Sequence, residues 1–311
     1  MQILIADPID AEAIRELEQR HDVRCAFKAD PDEMRALIAD CEVVVFRSRA
    51  QLTADLMSAA PNLRLLIRAG SGTDNVDLSY VQRHDLLLVR IPGPGATAVA
   101  ELAFALMLAL ARQVTVASEH LHRGEWVKGS LQGLNLNGKV LGIVGAGIIG
   151  SRVGEMGAAW GMEVVGTVDN ATPVKAQQLA ERGILLTSLN GVLARADFLT
   201  VHAPLRENTH YLISDPTLAQ MKRGAFLIHL SRGGVVDEEA VARALDSGQL
   251  AGAAFDVHEK EGEQFSSPLA GRPNVILTPH IGASTSDAQR EIGRLVVQTI
   301  DRLDVEPRAE S

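Results

Sequence analysis

The stretch Gly138–Gly150, Gly-Lys-Val-Leu-Gly-Ile-Val-Gly-Ala-Gly-Ile-Ile-Gly, narrows the fold of this chain more than any other. Val140–Val144 is a short apolar run of the kind that forms a strand buried on both faces. It leads directly into Gly145, Gly147 and Gly150, spaced as G-x-G-x-x-G. In a strand–turn–helix unit the first glycine permits the tight turn and the second lets a pyrophosphate approach the backbone. The third lets the new helix pack against the strand. The helix N-terminus then offers N–H groups and partial positive charge to the phosphates. Three glycines at this spacing are also compatible with a plain turn, so the reading rests on what surrounds them.

On both sides the sequence alternates strands and helices. Before the glycine stretch, Ile3–Ala6, Asp22–Phe27, Val43–Phe46, Leu65–Ile67 and Leu86–Val89 read as strands. Ala11–Arg20, Asp32–Ala39 and Leu52–Ala60 read as helices, which together predict a small doubly wound βα domain. The turn-forming Ile91-Pro92-Gly93-Pro94-Gly95 marks a boundary. It is followed by one predicted helix over 97–122, apolar on most faces and so expected to be buried between domains or subunits. After the glycine turn, a helix over Ile149–Trp160 precedes strands at Glu163–Val168, Ile184–Leu186, Phe198–Val201, Ala225–His229, Ala251–Asp256 and Val275–Leu277. A last helix is expected over Thr285–Leu303. The fold class is therefore α/β, with two doubly wound parallel sheets.

Charge and composition exclude several partners. A net charge of −9 argues against nucleic acid and anionic membranes, which need a basic surface. Cys25 and Cys41 lack metal-ligand spacing and are expected to be buried reduced thiols of a cytoplasmic protein; no metal site is expected. The N-terminus enters a strand directly, so no signal peptide is expected. The apolar run Leu102–Ala111 is too short to span a bilayer. Trp126 reads as a packing anchor.

Candidate site residues lie just past strand ends, where ligands bind in such sheets. Asp169, 19 residues beyond Gly150, stands where an acidic side chain accepts from the ribose hydroxyls. A carboxylate repels a 2′-phosphate and no Arg or Lys directly follows, so NAD is favoured over NADP. In the first domain, Arg47, Arg49 and Arg68, with the backbone of Gly70, Ser71 and Gly72, read as an anion site. Their alternative is a set of solvated surface arginines. In the second, the loops His202-Ala203-Pro204, Ser231-Arg232-Gly233-Gly234, Val257–Glu263 and Pro279–Gly282 bring His, Arg and Glu to strand ends. Each alone is compatible with a purely structural role, and together they are candidates for one active site.

Four stretches then carry a resemblance: Arg68–Leu78, Gly138–Gly150, His229–Ala240 (His-Leu-Ser-Arg-Gly-Gly-Val-Val-Asp-Glu-Glu-Ala) and Asn274–Thr285 (Asn-Val-Ile-Leu-Thr-Pro-His-Ile-Gly-Ala-Ser-Thr). In this order and over essentially the whole chain, they resemble the D-isomer-specific 2-hydroxyacid dehydrogenases. The resemblance implies a flavodoxin-like substrate domain, 1–95 plus 286–311, and a Rossmann NAD domain, 96–285, with a cleft between them. It also implies a dimerisation helix over 97–122, hence a homodimer or homotetramer. The family's catalytic residues fall on Arg232, Glu261 and His280. Its cofactor contacts fall on Gly145, Gly147, Ile148, Ile149, Gly150, Asp169, His202, Ala203, Pro204, Leu230, Ser231, Asp256, His280 and Gly282. Its substrate contacts fall on Arg47, Arg49, Arg68, Ser71, Gly72 and Arg232.

The implied reaction is NAD-linked oxidation of a small 2-hydroxy acid. The segment Arg47-Ser48-Arg49 resembles the one that faces the phosphate in members acting on D-3-phosphoglycerate, which makes that the first expected substrate. Glyoxylate or hydroxypyruvate reduction is the alternative, and an NAD-sensing corepressor-like protein a further one. The chain departs from the family's pattern at several positions, among them Gly262, where a proline usually follows the glutamate, Ile148, where the glycine turn commonly carries an arginine, and Gly95, where an asparagine is often found. With 311 residues, no C-terminal regulatory domain and no feedback through one are expected.

Overall fold

In the computed structural model, residues 1–305 are described; 306–311, the end of the predicted substrate domain, lie outside the described residues. The chain divides into two compact units, Met1–Ala98 together with the stretch from Ala283, and Val99–Gly282.

The first unit runs β1 (Gln2–Ile5), α1 (Ala11–Glu18), β2 (Asp22–Cys25), α2 (Pro31–Ile38), β3 (Val43–Phe46), α3 (Ala54–Ser58), β4 (Leu65–Arg68), α4 (Leu78–Arg83) and β5 (Leu87–Arg90). Its sheet is parallel in the order β2-β1-β3-β4-β5. Side chains of Asp10, Asp30, Thr53 and Asp77 accept from first-turn N–H groups of α1 to α4, which fixes where each helix begins. β3, Val-Val-Val-Phe, is fully buried; each such side chain removed from water contributes about 1.5–3 kcal/mol. The C-terminal helix, Ser286–Val305, closes one face through Ile292, Val296, Val297 and Ile300. β2 lies at the sheet edge, so Cys25 is exposed, whereas Cys41 is buried, against the expectation that both are buried. Burial pushes the Cys41 thiol up to about 11, keeping it protonated and unreactive.

α5 (Gly93–Ala111) begins earlier than predicted. Pro94 lies in its first turn, where a missing N–H costs nothing. The predicted single helix over 97–122 is two: Gln113 takes a left-handed backbone, φ +53°, and α6 (Val114–His122) starts anew. The cause is tertiary. Leu134 N–H donates to the Ala111 carbonyl at 2.8 Å and the Gln113 amide donates to the Gln132 carbonyl, so the 132–134 segment caps α5. At 19 residues and a mean hydropathy of 1.7, α5 is long and apolar enough to cross a membrane, unlike the ten-residue run it contains. Half of its most apolar window is buried in the core, where Ala100, Ala103, Phe104 and Met107 pack beneath the second sheet.

The second unit continues with β6 (Val140–Val144), α7 (Ile148–Ala159), β7 (Glu163–Thr167), α8 (Pro173–Ala180), β8 (Ile184–Leu186), α9 (Leu189–Arg195), β9 (Phe198–Val201), α10 (Asp215–Leu218), β10 (Ala225–His229), α11 (Glu238–Asp246), β11 (Leu250–Phe255) and β12 (Val275–Leu277). Its seven strands are parallel in the order β12-β11-β10-β9-β6-β7-β8. Strand order reverses between β6 and β9, so the crevice past their C-terminal ends is where a ligand fits.

Candidate active site

In the first unit the order reverses between β1 and β3, and the loops after these strands are tied together. Asp7, buried after β1, accepts from the N–H groups of Arg47 (2.6 Å) and Ala50 (3.2 Å). The Asn75 amide donates to the Arg47 carbonyl at 2.8 Å and to that of Ala50. The segment 47–50 is therefore held by its backbone. The Arg49 side chain is exposed; Arg47 is half-buried, with burial lowering its pKa and the Asp7 carboxylate working against that. Arg68, the third arginine of the expected anion site, lies deeper than Arg47 and Arg49. It is buried, lies 5.9 Å over the Phe46 ring, and donates from Nε to the Gly72 carbonyl at 2.6 Å. Its guanidinium sits so close under Gly70 that a Cβ there would come within 2.6 Å of Nη1. Arg68 braces the 70–72 turn from beneath.

In the second unit, loops after β9, β10, β11 and β12 share one edge of the sheet. Their side chains interlock. His280, at φ +54°, places Nδ1 2.9 Å from Glu261 Oε2, and the His258 N–H donates to Glu261 Oε1 at 3.1 Å. Burial raises the Glu261 pKa, but hydrogen bonding to His280 and the His258 N–H outweighs it, and the carboxyl lies below its ordinary value. Glu261 is thus ionised at neutral pH and oriented at both oxygens.

Asp256, fully buried at the end of β11, accepts from Thr278 Oγ1 (2.6 Å) and from the N–H groups of Ile281 (2.9 Å) and Gly282 (2.8 Å). It grips the loop on both sides of His280. Expected as a cofactor contact, it also has this structural task. His258 donates from Nε2 to the Thr278 carbonyl at 3.0 Å, while its buried Nδ1 has no partner. A cavity of about 330 Å³ opens here between His258, Gly262, Phe265, Thr278 and the Glu261–His280 pair.

The Arg232 turn joins the same cluster. The buried His229 ring donates to the Arg232 carbonyl at 2.9 Å, and burial lowers its pKa to about 3, so it stays neutral. Arg232 donates to the Ser231 carbonyl. A Cβ on Gly233 would come within 1.9 Å of the His258 carbonyl, so this turn packs directly on the glutamate loop. Behind it, the buried Glu238 accepts from the Glu259 N–H and the Ser267 hydroxyl, bracing the loop from the far side. His258, Thr278 and Glu238 were not singled out from sequence: their roles come from partners 20–29 positions away.

At the strand-order reversal, Gly145 has φ +93° and its turn is held by the Thr167 carbonyl, which accepts from Gly145 and Ala146. A Cβ at Gly150 would strike the Gly145 carbonyl at 2.3 Å; one at Gly147 would meet nothing within 4 Å. The close-packed and open glycines are thus the ones the spacing implies. α8, α9 and α11 are capped by Thr172, Ser188 and Asp237, whereas α7 starts at Gly147 with no side-chain cap. Its first N–H groups face the reversal point, a fit for a pyrophosphate. Ile148 is exposed and Ile149 half-buried beside them. His202, with Nε2 bonded to Thr200 Oγ1 and Nδ1 unpartnered, lies against Gly145; burial lowers its pKa to about 4. Ala203, Leu230 and Ser231 are buried and Pro204 exposed on the flanking loops.

Residues 104–282 match the family described as D-isomer specific 2-hydroxyacid dehydrogenase, NAD binding domain. The chain belongs to the D-isomer-specific 2-hydroxyacid dehydrogenases. It is 37% identical over 305 residues to a D-3-phosphoglycerate dehydrogenase of Methanocaldococcus jannaschii, covering 97% of this chain and 57% of that protein. It is 35% identical over 302 residues to a hydroxypyruvate reductase of Thermotoga maritima, covering 96% and 97%. Among solved structures, a D-lactate dehydrogenase from Aquifex aeolicus complexed with NAD and lactic acid superposes with a TM-score of 0.86 at 27% identity, covering 97% and 95%. The chain thus spans little more than half the length of its phosphoglycerate dehydrogenase relative and nearly all of the hydroxypyruvate reductase.

Within this family, Val99–Gly282 is the NAD-binding unit, and one contact there was not foreseen. Asp169, two residues past β7, is paired with Arg206 from the loop after β9, Oδ2 to Nη1 3.1 Å. The absence of a basic residue next to Asp169 in sequence therefore does not mean the absence of a positive charge beside it.

Proposed function

We propose that the chain is an NAD-dependent D-2-hydroxyacid dehydrogenase acting on D-3-phosphoglycerate, as in serine biosynthesis. The observation that carries the enzymatic reading is the Glu261–His280 pair, held on one sheet edge with Arg232. An ionised carboxylate aimed at an imidazole is the arrangement that acid–base chemistry requires, which supports the enzymatic reading over the sensing one. The bound nicotinamide supplies the hydride acceptor for C2 of the hydroxy acid. His280 Nδ1 is engaged by Glu261, which leaves Nε2 to take the hydroxyl proton during oxidation and return it during reduction. Glu261 fixes the tautomer and stabilises the imidazolium. The planar guanidinium of Arg232 suits a substrate carboxylate bidentately. Asp169 takes the ribose hydroxyls, and the first turn of α7 takes the pyrophosphate.

Arg47 and Arg49, on a segment whose backbone is fixed by Asp7 and Asn75, support a phosphorylated substrate. Hydroxypyruvate reduction is the second reading, supported by the 35% identity over 302 residues to the Thermotoga maritima relative. Steady-state kinetics followed by NADH fluorescence separate the two. Replacing Arg47 and Arg49 together by Ala raises KM for 3-phosphoglycerate about tenfold or more, the order of losing charge-assisted phosphate contacts. KM for hydroxypyruvate stays unchanged. An unchanged KM for 3-phosphoglycerate rejects it as the substrate. Loss of turnover in His280→Gln tests the enzymatic reading itself.

A homodimer built on the α5–α6 face belongs to the same proposal. No residue of α6 is buried, and Val114, Leu121, Trp126 and Leu134 are exposed. Trp126, at 80% exposure, packs on nothing within its own chain to the degree expected of an anchor. A cavity of about 520 Å³ beside Leu110, Val116, Leu134, Phe226 and Ile276 continues this apolar surface. A second copy is the cover we assign, and light scattering of Leu121→Glu, expected to be monomeric, tests it.

A further inference from the structure

We propose that Arg206 sets the coenzyme choice of this dehydrogenase and that the ribose subsite accepts NADPH as well as NADH. The inference extends the reading of Asp169 as the ribose acceptor and is independent of which hydroxy acid is the substrate.

The argument begins with topology. β6, which carries the glycine turn, lies between β9 and β7 in the sheet. Arg206 follows β9 and Asp169 follows β7, so their ion pair reaches past the end of β6, across the place where the adenosine half of a dinucleotide rests on this fold. The pair also lies close to the turn: Gly145 and Ala146 donate to the last residue of β7, and Gly145 packs on the backbone of His202 and Ala203, where the Arg206 loop begins.

The Arg206 backbone is fixed. Its N–H donates to Thr209 Oγ1 at 2.7 Å, that hydroxyl donates to the Pro204 carbonyl at 2.6 Å, and the Arg206 carbonyl accepts from the N–H groups of Thr209 and His210. Thr209 is buried. The side chain, by contrast, is more than half exposed, as is that of Asp169. An ion pair so open to solvent is weak and opens readily. The arrangement is a rigid mount carrying a displaceable guanidinium.

Two ligand states follow. With NADH, Asp169 leaves Arg206 and accepts from the ribose hydroxyls. With NADPH, the 2′-phosphate replaces the Asp169 carboxylate as the partner of Arg206, a charge-assisted and bidentate contact, while Arg206 offsets the repulsion that Asp169 alone exerts. A carboxylate at the end of β7 therefore does not exclude the phosphate here, because the compensating charge comes from the loop two strands away.

The test is equilibrium binding with no substrate present: NADH and NADPH are titrated into the full chain and nucleotide fluorescence is read. Wild-type protein binds the two with dissociation constants within about tenfold of each other. Arg206→Ala weakens NADPH by about tenfold or more, the loss of a phosphate-bound arginine, and changes NADH less than about threefold. Arg206→Lys retains part of the NADPH affinity, and raising salt erodes NADPH binding faster than NADH binding. Asp169→Asn weakens NADH and spares NADPH. Equal effects of Arg206→Ala on both nucleotides, or no effect on either, overturn the proposal. So does a wild-type protein that binds NADH but not millimolar NADPH. An Asp169→Asn variant with unchanged NADH affinity instead removes Asp169 from the ribose subsite and takes the underlying reading with it. Circular dichroism of each variant confirms that the fold is retained.

Discussion

Asp256→Ala is the substitution from which the most can be learned about how His280 is held. The Asp256 carboxylate is buried and accepts three hydrogen bonds from the loop 278–282: one from the Thr278 hydroxyl and two from the Ile281 and Gly282 N–H groups. The hydroxyl can turn elsewhere, but the two N–H groups cannot. Leaving a buried donor unpaired costs about 1–3 kcal/mol, so the loop loses on the order of 3 kcal/mol. For a unit of this size that lowers Tm by roughly 6–12 °C in calorimetry. The same loosening displaces His280 in most molecules, and kcat falls by roughly 10–100-fold, the scale expected of a misplaced catalytic group. Asp256→Asn retains acceptors for two of the three donors but turns its amide NH₂ towards the third, so its effects are smaller in the same order. The outcome that refutes the reasoning is a raised KM for NAD with Tm within about 2 °C of wild type, a change below the stability scale worked out above. Asp256 would then serve the cofactor and not the loop.

His229→Asn tests the acid side of the stability curve. His229 is held neutral by burial with a pKa of about 3, against about 6.5 when unfolded. The unfolded state therefore binds the extra proton between these values, and the contribution to stability, present above pH 6.5, is lost as pH falls towards 3; chemical denaturation at pH 7.5 and pH 5 shows a smaller difference in the variant than in wild type. His258→Phe keeps the ring contact with Phe265 and removes an unpartnered nitrogen, but takes the donor from the Thr278 carbonyl. Tm changes little while kcat drops about threefold to tenfold, a positioning effect and not a chemical one, and an unchanged kcat argues that the Thr278 carbonyl needs no donor. Gly262 has φ +89°, which proline cannot adopt, so Gly262→Pro displaces the adjacent Glu261 and lowers kcat more than Gly262→Ala, whose cost is about 1–2 kcal/mol of backbone strain. Equal kcat in the two variants shows that the path of the chain after Glu261 does not matter.

The sheets were legible because parallel strands buried on both faces are continuous apolar runs. Val43–Phe46, Val140–Val144, Phe198–Val201 and Ala225–His229 stand out in the sequence and form strands with those ends. The break between α5 and α6 was not legible, since Arg112-Gln113 contains neither glycine nor proline; the segment 132–134 imposes it from outside. At the site, residue types and their places after strands could be read, but their partners could not. Arg68 has the chemistry of an anion ligand, and its burial beneath the 70–72 turn that follows it could not be read. Asp169 has no basic neighbour in sequence and has one in space. Asp256 was legible as a strand-end acid, while the three donors that define its role lie 22 to 26 residues on.

Buried carboxylates recur in one use throughout the chain. Asp7, Glu238 and Asp256 are each nearly inaccessible, and each accepts from at least one backbone N–H, for Glu238 and Asp256 also from a hydroxyl, of a loop that carries a candidate functional residue: 47–50, 259–267 and 278–282. A buried charge is tolerable only when several donors surround it, and backbone donors that satisfy it are thereby fixed in place. Such a carboxylate has little remaining freedom to move. Glu261 is built differently. One oxygen is bound to the His258 N–H, as in the other three, and the other to an imidazole that can gain and lose a proton. Its side chain is 40% exposed, so it does not need a full set of fixed donors to remain ionised. Being held at Oε1 makes Glu261 rigid, and facing His280 at Oε2 makes it responsive. That combination distinguishes Glu261 from the carboxylates whose donors all belong to the loops around them.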